Sequence, residues 1–533
     1  MMMSNTNSRP PWLTLPAAFL GLSLLLNFDY PAERLFTLRL LLPSGDVWLL
    51  FFALAVAAYC GKRPLHWTTL PVWVIFLALR LIRIGDTAVP MYLNRPFNLY
   101  IDSGYLYGLY DLLKTSSGRG DFLLMSAIGA TAAVGGVAAS WYAWESAARA
   151  FMITRVRLAF LGGSGFIMGA ALIFGVQTAR PLALVRLGQE ILSIRRQIEK
   201  QQAFAGRLAR AAKERGARPV ILKGLAGADV LLFMVESYGR IVFSRPQYRQ
   251  AMDDTMGRLA KILDQQGFSA VSSYLVSPTF GGSSWLAHGS LESGLRVGDD
   301  LEDTALLRSS LPPMASYFRK SGYRTVSVMP GTRFAFPEGA YFGYEQVYYA
   351  WQFNYRGPTY GWAAMPDQFV LDWVRRREFV KREQPIFARY VLISSHAAFN
   401  VQPPYIPDWD AIGDGSLYNE RDKVYFSISW PELKNAEGGY LRSIDYEFTT
   451  LGDYLAKYVS ADALIIVIGD HQPNVQLTGD GEPWSVPVHI ISRNRRLLAP
   501  FVKRGYTPGL TPAQSLPHAG METFLPGFLE DFS

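Results

Sequence analysis

The 533-residue chain contains a single cysteine, Cys60. No intramolecular disulfide can form and no multi-cysteine metal site can exist, so any bound metal must be held by oxygen and nitrogen. No run of lysine and arginine is interleaved with aromatics as a nucleic-acid groove requires, so the net charge of +8 points to anionic lipid as a partner and away from nucleic acid. Internal repeats and low-complexity blocks are also missing. Apolar residues, in contrast, are plentiful. Half the residues are hydrophobic, yet 18% are charged, which fits an apolar segment joined to an ordinary globular one. At this length two or three units are expected.

Five apolar runs lie in the N-terminal third, at residues 11–28, 47–60, 70–84, 122–144 and 158–176. The second and third are short, and the others approach the ~20 residues that cross a bilayer. The first follows only Arg9 and precedes no small-residue cleavage site, so it reads as a retained helix. Lysine and arginine mark cytoplasmic loops: Lys62 and Arg63 follow the second run, and Arg149, Arg155 and Arg157 follow the fourth, against Glu145. An odd number of spans then places everything after Val176 on the opposite face. Arg80 and Arg83, near the end of the third run, read as snorkelling side chains. Residues 85–121 carry Tyr92, Tyr100, Tyr105, Tyr107 and Tyr110 and suit the outer interface. Residues 182–215 set Leu184, Leu187, Ile191, Ile194 and Ile198 on one side of a helix and arginines elsewhere, the pattern of an amphipathic connector or of a solvated linker. The expected domains are thus 1–180, a five-helix transmembrane domain; 181–218, a connector helix; and 219–533, an extracytoplasmic domain.

In that last part, short β-rich runs at 230–235, 325–329, 390–393, 464–468 and 488–491 alternate with helical stretches at 247–265, 301–321, 367–382 and 440–457. Such alternation predicts an α/β domain with a largely parallel central sheet. Three of the strands run directly into chemistry-bearing residues: VLLFMV into Glu236, RYVLISS into His396, and LIIVIG into Asp470 and His471. Ligands bind beyond the carboxyl ends of strands in an open α/β sheet, so these side chains are expected to meet at one edge. One such acid would be explained by helix capping; three strands ending this way outweigh that explanation. Carboxylate with imidazole suits a divalent ion such as Zn²⁺ or Mn²⁺. The segment SPTFGGSSWLAHGSLESGL, residues 277–295, offers hydroxyls at a glycine-rich turn that opens a helix. Ser283 and Ser284 there fit either simple N-capping or a nucleophile favoured by the positive end of the helix dipole.

Together these motifs resemble the alkaline phosphatase superfamily, and most closely its membrane-bound sulfatase-like branch, which includes lipoteichoic acid synthase and the phosphoglycerol and phosphoethanolamine transferases. The resemblance covers the layout of nearly the whole chain. It implies that VESYG places a metal-binding acid at Glu236, that GDHQP places two more ligands at Asp470 and His471, and that SSHAAF makes His396 a substrate contact. For the nucleophile, which is also a metal ligand, it leaves three residues open. Ser284 has a histidine four residues on, His288, and a glycine ten residues on, Gly294. Thr279 has Gly289 at the second spacing and a TF pair, and Ser283 aligns with the threonine of the lipoteichoic acid synthases. Two departures bear on the reaction. SWLAH lacks the proline and arginine of the formylglycine motif, which disfavours sulfate-ester hydrolysis of that type. The disulfides usual in Gram-negative phosphoethanolamine transferases cannot form here.

The function expected from the resemblance is a phosphotransferase or phosphodiesterase of the bacterial inner membrane. It would use one divalent ion, Mn or Zn with Mg as a further candidate, a membrane phospholipid donor, and an envelope glycan or lipid acceptor. The contrasting expectation is a non-catalytic lipid-binding or regulatory protein that keeps the fold. The topology is open to a direct check. A reporter fused after Ser533 should be extracytoplasmic, and cytoplasmic behaviour would overturn the odd span count.

Overall fold

The computed structural model describes residues 11–28, 44–60, 65–102, 110, 119–175, 182–217, 220–333, 336–380, 382–426, 435–479 and 481–533. Lys62 and Arg63, Tyr105 and Tyr107, the last residue of the fifth apolar run, Val176, and the expected junctions at 180–181 and 218–219 lie outside them. The chain divides into two compact units, residues 1–90 with 95–198, and residues 91–94 with 199–533.

In the first unit, helices Pro11–Asn27, Gly45–Cys60, Leu65–Leu93, Arg119–Phe151 and Thr154–Ile173 overlie the five apolar runs. By length and composition, one helix among the described residues, Phe122–Phe151, is long and apolar enough to cross a membrane; Thr14–Asn27 and Gly45–Cys60 are shorter apolar helices. Its apolar side chains Leu123, Leu124, Ile128 and Val134 all face outward. Inside the unit, Phe51 is fully buried and its ring meets Trp144 at 5.0 Å and Phe19 at 5.4 Å. Arg80 donates to the carbonyl of Leu26 at 3.4 Å and lies over the ring of Phe28. The helix Leu182–Gly216 begins at a cap supplied from elsewhere in the sequence. The buried carboxylate of Asp46 accepts from the backbone N–H of Ala183 at 3.2 Å and of Leu184 at 2.8 Å, satisfying donors that a helix start leaves open.

The second unit is built on a nine-stranded sheet: β1 (Val230–Val235), β2 (Ser269–Val276), β3 (Arg324–Met329), β4 (Gln346–Tyr349), β5 (Ile386–Leu392), β8 (Leu464–Gly469), β9 (Ser485–Ser492), β10 (Thr507–Pro508) and β11 (Ala519–Gly520). A separate ribbon pairs β6 (Val401–Gln402) with β7 (Val424–Tyr425). The strand order is β10-β2-β9-β8-β1-β5-β3-β4, with β11 beside β2. Strands β8, β1, β5, β3 and β4 run parallel, as expected, whereas β9 is antiparallel to β8 and β2 is antiparallel to β9. The sheet is therefore mixed: its parallel part is as expected, and the antiparallel pairings of β9, β2 and β10 are added to it. Strand β2 escaped the sequence pattern because its serines, in SAVSSYLV, break up the apolar run. Strand β4 escaped because it is four residues long and half-exposed.

Helices cover both faces. On β1, Leu231, Phe233 and Val235 enter one core with helices Pro246–Gln265, Asp367–Glu378 and Ala436–Tyr458. Val230, Leu232 and Met234 enter the other with helices Ser284–Ser293, Met314–Lys320 and Phe524–Phe532. Burial on both faces explains why VLLFMV is continuously apolar. The helix expected at 301–321 is two helices, Asp300–Leu307 and Met314–Lys320, because Pro312 and Pro313 remove backbone donors and bar helical geometry in the residue before them.

A buried ion pair ties the helix Ser284–Ser293 to the sheet. Arg389, inside β5, pairs with Glu292, and both are essentially unexposed. Arg389 Nη2 also donates to Ser327 Oγ at 2.6 Å, and the Tyr344 hydroxyl donates to Glu292 Oε2 at 2.7 Å. Arg389→Met should leave the Glu292 carboxylate uncompensated and lower the unfolding free energy by about 3–5 kcal/mol. Adding Glu292→Leu to that variant should restore much of the loss. Denaturant midpoints of the three proteins measure this, and an Arg389→Met midpoint equal to wild type would contradict it.

Candidate active site

The site follows from strand register. β1 lies between β8 and β5, with Val235 opposite Gly469 on one side and Leu392 on the other. The three chains therefore leave the sheet side by side, delivering Glu236, the Asp470–His471 pair and the Ser394, Ser395, His396 turn to one edge. Because two antiparallel pairings separate β2 from β8, β2 points the same way as β8 and brings residues 277–283 to that edge as well. Gly469 permits the close approach of the first two chains: a Cβ there would lie 1.8 Å from the carbonyl oxygen of Tyr238.

Glu236, Asp470 and His471 are buried, and one ligand atom from each lies within 4.8 Å of the others. They form the one such grouping of acidic, histidine or cysteine side chains among the described residues. His471 Nε2 is 3.2 Å from Glu236 Oε1 and 3.7 Å from Asp470 Oδ2. Its Nδ1 sits 2.8 Å from the carbonyl of Gln472, so Nδ1 carries the proton and Nε2 is the atom turned to the cluster. Asp470 Oδ1 accepts from the backbone N–H of Ser237 at 2.8 Å and of His471 at 2.7 Å, leaving its other oxygen for the cluster. Two carboxylates and an imidazole with fixed outer partners form a donor set that fits a divalent ion of borderline character.

Of the three hydroxyls singled out in the sequence, the fold brings Ser284 to this cluster. Its Oγ donates to Glu236 Oε2 at 3.0 Å and lies 3.2 Å from His471 Nε2. Ser284 is the first residue of the helix Ser284–Ser293, whose N-cap position is held by Ser283 in the left-handed region at φ 61°, without a side-chain capping bond. The simple capping role is thus not the one Ser283 plays. Thr279 turns its hydroxyl to the carbonyl of Gly282 at 2.6 Å. His396 stacks on Trp362 with ring centroids 4.1 Å apart. His288 is buried one helical turn beyond Ser284, and burial together with nearby Arg389 holds it neutral, its pKa pushed down to about 3.

Several residues at the site had gone unmarked in the sequence. Trp362 sits in a segment without periodic signal. Ser277 donates to the carbonyl of Asp470 at 2.6 Å, tying the β2 loop to the end of β8, yet it reads in the sequence as one more polar loop residue. Asp367 reads as an acid in the first turn of a helix, although it bonds the turn that carries His396.

The charges are interdependent. Burial alone would raise the pKa of Glu236, but His396 and His471 hold it well below the usual carboxylate range. Burial and the adjacent Glu236 push Asp470 up to about 8. Burial works against the charged form of His471, but Asp470 and Glu236 outweigh it and raise its pKa to about 9. Metal ligands must be deprotonated. With both pKa values above neutral, a cation entering at pH 7 has to displace protons from Asp470 and His471, so affinity should rise with pH toward 9. The slope should be roughly tenfold per pH unit for each proton displaced. Calorimetric titration with Mn²⁺ or Zn²⁺ in buffers of different ionisation enthalpy counts those protons, and a count of zero would contradict the assignment.

Residues 257–494 match the family model described as Sulfatase, a span that includes Ser284, His396, Asp470 and His471 and begins after Glu236. No curated protein sequence matches the chain. Among solved structures, the chain is similar to a lipoteichoic acid synthase from Listeria monocytogenes, at 14% identity over 56% of this chain and 70% of that one, with a TM-score of 0.38. It is also similar to the soluble domain of lipooligosaccharide phosphoethanolamine transferase A from Neisseria meningitidis (11% identity, 57% and 88% coverage, TM-score 0.36). A phosphoglycerol transferase from Streptococcus pyogenes, solved with sn-glycerol-1-phosphate, is similar at 11% identity over 62% and 91%, with a TM-score of 0.34. At these TM-scores the structural likenesses carry no weight for the chemistry of this chain. The sequence similarity to the sulfatase family is thus confined to residues 257–494, within the second unit.

Proposed function

We propose that the protein is a metal-dependent phosphotransferase or phosphodiesterase that acts on membrane phospholipid head groups through a covalent phosphoserine-type intermediate at Ser284. The observation that carries this reading is the placement of the Ser284 hydroxyl, at the start of a helix and within hydrogen-bond reach of both Glu236 and His471. Glu236, Asp470, His471 and Ser284 Oγ would together hold one divalent ion, Mn or Zn, with Mg as a further candidate. When bound, that ion lowers the pKa of a coordinated hydroxyl and offsets charge on phosphoryl oxygens.

The protein's own groups account for the rest. Glu236 already accepts the hydrogen bond of the Ser284 hydroxyl, so the proton lost on attack has a destination. The Oγ–P bond forms as the bond from phosphorus to the lipid alcohol breaks, and that alcohol, such as diacylglycerol, leaves with a proton. The backbone N–H groups at the helix start face the phosphoryl group, which suits its negative charge. His396, stacked on Trp362, contacts the head group. A hydroxyl of an envelope glycan or lipid, or water, then displaces Ser284 from phosphorus and regenerates the free side chain. Hydrolysis of a sulfate ester by the formylglycine route is not part of this reading, because SWLAH lacks the motif's proline and arginine.

The N-terminal unit suits a lipid donor. We read it as five membrane spans in the bacterial inner membrane, with residues 219–533 on the extracytoplasmic side and the amphipathic segment 181–218 between. Outward-facing Leu123, Leu124, Ile128 and Val134 form an apolar surface that water disfavours and lipid accommodates.

Metal-loaded protein incubated with mixed bacterial phospholipids should yield an adduct on the peptide covering residues 277–295, its mass equal to a phospho-head-group. Ser284→Ala should lose both adduct and diacylglycerol release. An adduct that survives there and vanishes in Thr279→Ala or Ser283→Ala moves the nucleophile. Full cellular function in all three variants favours the lipid-binding reading.

A further inference from the structure

Behind the turn formed by Ser394, Ser395 and His396 lie two acids that the proposed chemistry does not use. Asp367 opens the helix Asp367–Glu378, and Glu447 sits in the middle of the helix Ala436–Tyr458. Both are completely buried and face each other within hydrogen-bonding reach. Asp367 Oδ2 accepts from the backbone N–H of Ile393 at 2.8 Å and of Ser394 at 2.6 Å, and the Asp367 N–H donates to Ser394 Oγ at 3.1 Å. Glu447 Oε1 lies 3.5 Å from Ser395 Oγ, which donates to the carbonyl of Glu236 at 2.6 Å. The two remaining oxygens, Asp367 Oδ1 and Glu447 Oε2, find no hydrogen-bond donor among the described residues.

Two ionised carboxylates cannot share a dry site, and two buried acceptors without donors are both penalised. One proton placed between them removes both difficulties. Its owner follows from the other contacts: the two short backbone N–H bonds to Asp367 Oδ2 favour its anion more than the longer contacts of Glu447 with Ser394 and Ser395 favour the anion of Glu447. Burial and the charge of Asp367 also push the Glu447 carboxyl well above its ordinary range.

We infer that Asp367 and Glu447 form a positioning pair bridged by a single proton, which fixes the turn carrying His396 and, through Ser395, the backbone of Glu236. The pair touches no reacting atom. Its effect on turnover rests on the proposed role of His396 as a head-group contact, but the shared proton stands independently of that role.

The test uses the full-length, metal-loaded protein in lipid nanodiscs. In Glu447→Gln an amide N–H replaces the acid O–H, so Asp367 keeps a donor. This variant should hold its KM for the phospholipid donor within roughly twofold of wild type. In Glu447→Leu the donor is gone and a carboxylate is stranded. Its KM should rise roughly tenfold or more at unchanged metal content per chain. The infrared difference spectrum between wild type and Glu447→Gln should show the loss of one protonated-carboxyl C=O stretch. A spectrum without that loss, or a Glu447→Leu protein that matches Glu447→Gln in KM, would overturn the inference. If wild type turns over no donor, the proposed function fails, while the infrared comparison still decides whether the proton is shared.

Discussion

The parallel pairing of β1 with β8 on one side and β5 on the other is the constraint on which the rest of the site depends. Side chains alternate along a strand, so a one-residue slip would swap both cores of β1 at once and draw the ends of the three strands out of line. The register is pinned by burial on both faces, and it brings Glu236, Asp470 and Ile393 to the same height, one residue beyond the last paired positions. Gly469 and the Tyr238 carbonyl complete the arrangement, since no larger residue would let the two loops pass so closely.

Given that frame, the electrostatics follow from crowding. Two carboxylates and an imidazole held within a few ångströms and away from water cannot all adopt their ordinary states, and their pKa values separate in the directions that minimise like charge. Glu236 stays ionised between His396 and His471, Asp470 is driven toward its neutral form, and His471 toward its cation. A set that holds protons because it lacks positive charge is suited to exchange them for a cation. The Ser284 hydroxyl shares this environment through Glu236 and His471, which distinguishes it from Thr279, whose hydrogen bond is spent within its own loop.

The parts of this structure legible in the sequence were those governed by hydrophobic burial. β1 and β8 stood out because both faces are covered, and the acids beyond them stood out because an apolar run stops at them. β2 was not legible, since its serines dilute the pattern, and so the route by which Ser284 reaches the sheet edge was not legible either. The geometry that sets Ser284 apart from Ser283 and Thr279, a left-handed residue at Ser283 and a hydroxyl-to-carbonyl bond at Thr279, has no signature in spacing. Asp367 and Glu447 lie 80 residues apart in helices that each look ordinary. Their relation exists only once both helices pack on the same face of the sheet. The break at Pro312 and Pro313 was legible in principle, because two successive prolines bar a continuous helix, but the flanking apolar residues kept helical spacing across it.

Buried charge is distributed on both sides of the sheet beneath the site, and the two instances solve the same problem differently. On one face Arg389 and Glu292 neutralise each other and join the helix of Ser284 to β5. On the other face, Asp367 and Glu447 meet no cation among the described residues, and the shared proton we infer takes its place. Such pairs are not needed for stability as such, because apolar residues of similar volume commonly do as well as a buried ion pair. What charged pairs add is direction: a hydrogen bond fixes an angle that a hydrophobic contact leaves free. The two elements anchored in this way are the helix that presents Ser284 and the turn that presents His396.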